Sequence, residues 1–198
     1  MGTFKRKNKA VSADDYLRLA AEAPEGERYE LFDGEAVLMA PPSYRHSLIT
    51  AAFIGKFYSH LTDKPCRVVG QDLMVGFRNS PTVFIPDVVV LCKPEEWQNP
   101  EDKKILLNPT LIVEVQSPST KKRDLEKAFR YQQIPSLYDL LLVSQDEPEI
   151  LHVWREQEGG MTLTETLTQL TDVLDVERLG CKIELRRVYR DIFNEGGA

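Results

Sequence analysis

The stretch LIVEVQSPST, residues 111–120, decides how the chain is read. Leu111, Ile112, Val113 and Val115 have the apolar density of a buried strand, yet Glu114 stands among them. A carboxylate taken out of water costs several kcal/mol unless something compensates it. The apolar run stops at Ser117-Pro118-Ser119-Thr120, a turn signal, and the pattern predicts a helix over 119–133.

A second acid raises the same question. In VFIPDVVVLC, residues 83–92, Asp87 follows Pro86 and opens a run of buried character. Two acids on two strands joined by one loop can converge at one strand end. Hard cations such as Mg²⁺ take one or two carboxylates, water and substrate phosphate, so a shared ion would compensate Asp87 and Glu114 together. The plainer alternative is that each acid caps a strand end or pairs with a nearby Lys or Arg.

The helix after the turn supplies positive charge. Asp124, Lys127 and Tyr131 share one face by their spacing, and Lys127 is the residue placed to bring an ammonium towards a metal and a reacting phosphate. Lys121, Lys122, Arg123 and Arg130 add positive charge as candidate phosphate contacts. In the alternative, Lys127 pairs with Asp124 and the rest form a solvated face.

The remaining elements give an α/β (α+β) domain with a central mixed sheet flanked by helices. Ser12, with Asp14 and Asp15, starts a helix that ends before Pro24. RYELF and EAVLMA, joined by Asp33-Gly34, form a hairpin. Residues 44–62 are an amphipathic helix. CRVVG, DLMVGF and a segment of VFIPDVVVLC are strands, and residues 93–109 form a long polar loop. LYDLLLVS, EILHVWRE and MTLTETLT are three further strands, and CKIELRRVYRDIF is a closing helix. Residues 1–11 form a basic tail and 12–198 a single domain.

Composition narrows the function. With 25 basic and 31 acidic residues the net charge is −6, which argues against a general nucleic-acid coat but allows a local basic patch. No apolar run is long enough to span a membrane. MGTFKRKNKA lacks the apolar segment of a secretory signal, and Arg6 breaks a myristoylation pattern at Gly2. Cys66, Cys92 and Cys181 have no zinc spacing and read as reduced core residues, which suggests a cytoplasmic protein.

RYELFDGEAVLMAPPSYRH, IPDVVVLC, LIVEVQSPST, RDLEKAFRYQ and LYDLLLV occur in the order found in the Uma-two-type endonuclease family, which the chain resembles from about Asp14 to Arg155. That family belongs to the PD-(D/E)XK restriction-endonuclease-like superfamily. The resemblance implies a restriction-endonuclease-like core and Mg²⁺- or Mn²⁺-dependent phosphodiester cleavage, most naturally of DNA, with RNA as an alternative substrate. Asp87 matches the aspartate of the motif and Glu114 its second acid, with the Val115 carbonyl as a further metal ligand. The motif's lysine slot holds Gln116, a departure that makes Lys127 the candidate lysine. Glu30 and His46 match further family positions. Glu30 is either an auxiliary acid or a cross-strand surface charge, and His46 either a phosphate or water contact or a capping group. His60 and His152 have no partner suggested by sequence. The competing class is a catalytically inactive nuclease-fold binding or regulatory module, favoured by Gln116 and the net charge. A homodimer is compatible with exposed strands in a domain of this kind.

Overall fold

A computed structural model describes residues 11–118, 120–158 and 160–193. In chain order the elements are α1 (Ala13–Ala21), β1 (Tyr29–Phe32), β2 (Glu35–Leu38), α2 (Tyr44–Leu61), β3 (Arg67–Val69), β4 (Met74–Gly76), β5 (Val83–Phe84), β6 (Val88–Leu91), β7 (Ile105–Leu106), β8 (Leu111–Gln116), α3 (Lys121–Tyr131), β9 (Asp139–Ser144), β10 (Ile150–Arg155), β11 (Thr162–Leu167), β12 (Val173–Val176), a 3-10 turn (Glu177–Leu179), β13 (Cys181–Glu184) and α4 (Leu185–Val188). Residues 1–10 of the basic tail, with the Gly2 and Arg6 readings, lie outside the described residues, as does Ser119.

Six strands form the main mixed sheet in the order β11-β10-β9-β8-β6-β3. β8 and β9 are its parallel pair, and α3 is the crossover that such a pair requires. A second sheet runs β2-β1-β5-β4-β7, and β12 pairs with β13. The two-residue alternation of β8 explains the layers. Leu111, Val113 and Val115 face a core built with α2, β12 and β13, whereas Ile112 faces a core with α3 and the second sheet. Glu114 and Gln116 therefore stand on the α3 side.

Pro86 divides what the sequence suggested was one strand. β5 pairs within the second sheet and β6 within the first, so the Ile85-Pro86-Asp87 step carries the chain from one sheet to the other. Proline has no N–H to continue a ladder, and Asp87 is left at the start of β6. In the β1–β2 hairpin, Asp33 and Gly34 have φ of 49° and 82°, the left-handed pair that a two-residue turn of this kind needs. Ser12 and Ser43 cap α1 and α2 by accepting from the backbone N–H groups of Asp15 and His46.

Three expectations change. The segment 93–109 is not one open loop, because β7 joins β4 in parallel and Trp97 bridges to Leu106. Buried Asn108 fixes it by accepting from Glu96 N–H and donating to the Pro94 carbonyl. The supposed closing helix is β13 followed by the short α4, because Cys181, Ile183 and Leu185 alternate inward at period two. Cys66 and Cys92 are not reduced thiols: they form a disulfide with a Cα–Cα distance of 4.1 Å, and Cys181 alone is a free, buried thiol. The antiparallel register of Arg67 with Leu91 brings the two cysteines opposite each other, which a sequence separation of 26 conceals. The disulfide removes the ground on which a cytoplasmic location was expected. Among the described residues no helix is long and apolar enough to cross a membrane.

Candidate active site

Glu114 is buried, and its compensation comes from α3. Its Oε1 accepts a hydrogen bond from the Tyr131 hydroxyl at 2.6 Å and lies 2.6 Å from Lys127 Nζ. Lys127, only 3% exposed, also donates to Glu30 Oε1 at 2.8 Å. That same Glu30 oxygen accepts from the Ile85 backbone N–H at 2.9 Å. Glu30 is thus an interior acid, and the surface alternative for it does not hold. The alternative in which Lys127 pairs with Asp124 gives way to a bridge from Lys127 to Glu30 and Glu114. The rings of Phe84 and Tyr131 lie 5.2 and 5.9 Å from the ammonium.

Asp87 lies one register step beyond the Val88–Val113 pair, across from Glu114. Its Oδ2 accepts from the Val115 N–H at 2.7 Å, and its Oδ1 is 2.7 Å from His46 Nε2. His46 is therefore a partner of Asp87 rather than a surface group. Its position is fixed from two directions, since the capping hydroxyl of Ser43 also donates to Gln145 Oε1 at 2.6 Å, beyond the end of β9. Within a strand, the N–H and C=O of one residue face the same edge, so the Val115 carbonyl also faces the β6 side.

The electrostatics are lopsided. The Glu114 carboxyl is pushed up to about 8: burial raises it most, Lys127 pulls it down, and the charges of Asp87, Glu30 and Asp124 also raise it. Burial works against the charge on Lys127, but Glu114, Glu30 and Asp124 outweigh it and hold the ammonium well above its ordinary value. Asp124 is raised by burial against the opposing influence of Lys127, a hydrogen bond from Thr120 and Arg123. Tyr131 is raised by burial and the nearby acids, so its hydroxyl stays a donor. Glu114, Glu30 and Asp124 act on the Lys127 ammonium, and Asp87 acts on Glu114, so acids outnumber cations around Glu114.

A divalent cation would favour the ionised form of Glu114, and Asp87 with Glu114 offers hard oxygen donors of the kind that Mg²⁺ takes. Among the described residues no three His, Cys, Asp or Glu side chains converge as a ready metal cluster. An ion held by Asp87 and Glu114 would therefore take its remaining ligands from water and substrate phosphate.

The basic residues of α3 divide. Lys121 pairs with Glu149 at 3.3 Å, and Arg130 is bonded to Asp33 of the hairpin. Lys122 is exposed, and Arg123 is half-buried. Gln116 is buried on the Glu114 face. Ser43 and Gln145 were not anticipated as supports of His46; the serine is legible as a helix cap, whereas nothing near Gln145 in sequence points to it. His152 lies away from this cluster, 2.8 Å from Asp139 and 3.1 Å from Glu165 on neighbouring strands.

A family model described as "Uma2: Putative restriction endonuclease" matches residues 13–186. A protein of Synechocystis sp. described as "Uncharacterized protein slr1290" is 31% identical over 183 residues, covering 92% of this chain and 93% of that one. A crystal structure of a "putative nuclease belonging to DUF820" from Anabaena variabilis superposes with a TM-score of 0.72. It covers 91% of this chain and 98% of its own at 17% identity, a likeness of fold.

Proposed function

The chain belongs to the Uma2 family, and from that membership and the buried acidic cluster we propose that it is a divalent-metal-dependent endonuclease acting on DNA. The observation that carries the reading is the meeting of Glu114 with Lys127 at 2.6 Å beside Asp87, where burial and the neighbouring acids push the Glu114 carboxyl up to about 8. Asp87, Glu114 and the Val115 carbonyl would hold Mg²⁺ or Mn²⁺. When bound, the ion supplies positive charge against the phosphate oxygens and lowers the pKa of the attacking water.

The chain's own residues do the rest. Lys127, held by Glu30, keeps a fixed positive charge beside the reacting phosphate, where negative charge grows. Tyr131 orients Glu114, and His46 orients Asp87. Lys122 and its neighbours on α3 receive the flanking backbone phosphates.

Titration of Mg²⁺ and Mn²⁺ with supercoiled DNA, beside an Asp87→Ala control, tests this. Metal-dependent nicking by the wild type and none by the variant is expected. Absence of cleavage with both ions would leave the second reading, a nuclease-fold binding module, which is favoured by Gln116 in the lysine slot and by the two carboxylates already on Lys127.

A further inference from the structure

The outward face of α2 carries a pattern that the packing of this chain does not explain. Tyr44, Ser47, Ala51, Gly55 and Tyr58 recur along it at helical spacing, and all five are exposed. Tyr44 is 79% and Tyr58 67% exposed. A helix face turned to water is normally polar and charged, as those of α1 and α3 are at Asp14, Arg18, Lys122 and Glu126. This stripe holds no charge. Arg45 and Lys56 stand roughly 120° or more round the helix from Ala51. Arg45 is occupied there by Asp146 at 3.7 Å and the Phe193 ring at 5.9 Å.

Gly55 sharpens the point. Glycine in a helix interior is destabilising relative to alanine. A Cβ added here would meet nothing within 4 Å, so the chain's own packing does not call for a glycine. A second helix lying close against the face would call for one.

The stripe is also symmetric about Ala51. Tyr44 and Tyr58 lie seven positions before and after it, Ser47 and Gly55 four, and the half-buried Leu48 and Ile54 three. Such a face complements itself when a second copy is turned end for end. Tyr44 then meets the partner's Tyr58, Ser47 the partner's Gly55, and Ala51 the partner's Ala51. Small residues at the middle let the two helix axes approach to about 8 Å.

The area suffices. A covered tyrosine buries on the order of 150 Å², so the four tyrosines of a pair supply roughly 600 Å². A stable interface takes about 1,200 Å² in total. The remainder falls to Ser47, Leu48, Ala51, Ile54 and Gly55 of both copies, along a helix about 27 Å long.

We propose that α2 is the face through which this chain pairs with a second copy of itself, antiparallel, with a twofold axis at Ala51. The exposed strand edges are then not needed for dimerisation. The pairing is independent of the nuclease reading and is observed without cleavage. It also fixes the two candidate sites relative to each other, since His46 of each copy belongs to the helix pair.

Sedimentation velocity over about 1–100 μM tests this. The wild type should sediment as a species of twice 22.6 kDa. Ala51→Arg sets like charges against each other at the axis and should weaken the dimer at least about a hundredfold. Its circular dichroism should not change, because the position is exposed in the single chain. Tyr44→Ser combined with Tyr58→Ser should have the same effect. Oxidative cross-linking reads the register. Ala51→Cys should give a disulfide-linked dimer, whereas Gly55→Cys should not, since its two copies lie roughly 12 Å apart along the pair. A mixture of Ser47→Cys and Gly55→Cys should link again. Cys181 is buried and does not compete. A wild type that is monomeric throughout overturns the proposal, as does a dimer that survives Ala51→Arg or links equally through Gly55→Cys. A monomer whose duplex binding is lost with the two tyrosines would also overturn it and would assign the face to nucleic acid.

Discussion

Glu30 and Lys127, 97 positions apart in the chain, meet at 2.8 Å in a salt bridge that is 3% exposed on both sides. The pair ties the β1–β2 hairpin to α3 and keeps the ammonium beside Glu114. Its strength lies less in the attraction than in the cost of removing one partner, because the other charge is then buried alone.

Lys127→Met should therefore destabilise the fold by about 3–5 kcal/mol and abolish cleavage. Adding Glu30→Gln should recover part of the stability but none of the activity. Urea unfolding of the two single variants and the double measures this. Equal, additive losses would mean that the two side chains act independently.

Glu114 gives a pH dependence with a definite sign. Its folded-state pKa, about 8, is raised above the ordinary carboxylate value of 4.5, so the folded protein binds the extra proton between those values. Its contribution to stability is complete below the lower value and is lost as pH rises towards 8, at most about 1.4 kcal/mol per pH unit. Glu114→Gln should flatten this decline between pH 5 and 8, as read from unfolding curves. Calorimetry in buffers of different ionisation enthalpy should show a proton released when Mn²⁺ binds near pH 7, and none with Glu114→Gln.

His46 holds Asp87 at 2.7 Å, so His46→Ala should reduce metal affinity or activity roughly 10–100-fold with little change in fold. His46→Asn, which keeps a donor, should recover part of it. A loss confined to KM for DNA, with metal affinity intact, would instead make His46 a substrate contact.

Denatured, unreduced protein should react with one equivalent of alkylating reagent, at Cys181, and with three after reduction. Mass spectrometry resolves the two states. Replacing Cys66 and Cys92 with serine should cost about 2–4 kcal/mol, as expected for a bridge closing a loop of this size.

Lys122 is exposed, whereas Lys121 shares its charge with Glu149. Lys122→Gln should flatten the log–log salt dependence of duplex binding by roughly 0.9, the value for one phosphate contact. Lys121→Gln should have the smaller effect. Filter binding between 50 and 200 mM salt, about the range over which such slopes are measured, distinguishes them.

Local patterns made much of the fold legible. The hairpin at Asp33-Gly34, the cap at Ser43 and the strand–turn–helix from Leu111 to Tyr131 are written in residues close together in sequence. CKIELRRV was misread because Leu185 and Val188 suit a helix, while Cys181, Ile183 and Leu185 suit a strand, and pairing with β12 decides between them. In the candidate site, Glu114 was conspicuous because it breaks an apolar run. Glu30 and His46 were ambiguous, since each gains its meaning from a partner far along the chain: Lys127 for one, Asp87 for the other. The Cys66–Cys92 bridge depends on strand register, which no local pattern reveals.

The parallel pairing of β8 with β9 also dictates the order in which the molecule can assemble. As the chain is synthesised, β8 emerges before the helix that neutralises its acid and before the strand that covers its far edge. Until α3 has crossed over, Glu114 has no cation, and desolvating it alone is unfavourable. The β6-β8-β9 part of the main sheet and the candidate site therefore form together only once residue 144 is available. A ribosome-bound chain stalled before that point should be protease-sensitive throughout this region, and one released beyond it should become resistant in a single transition.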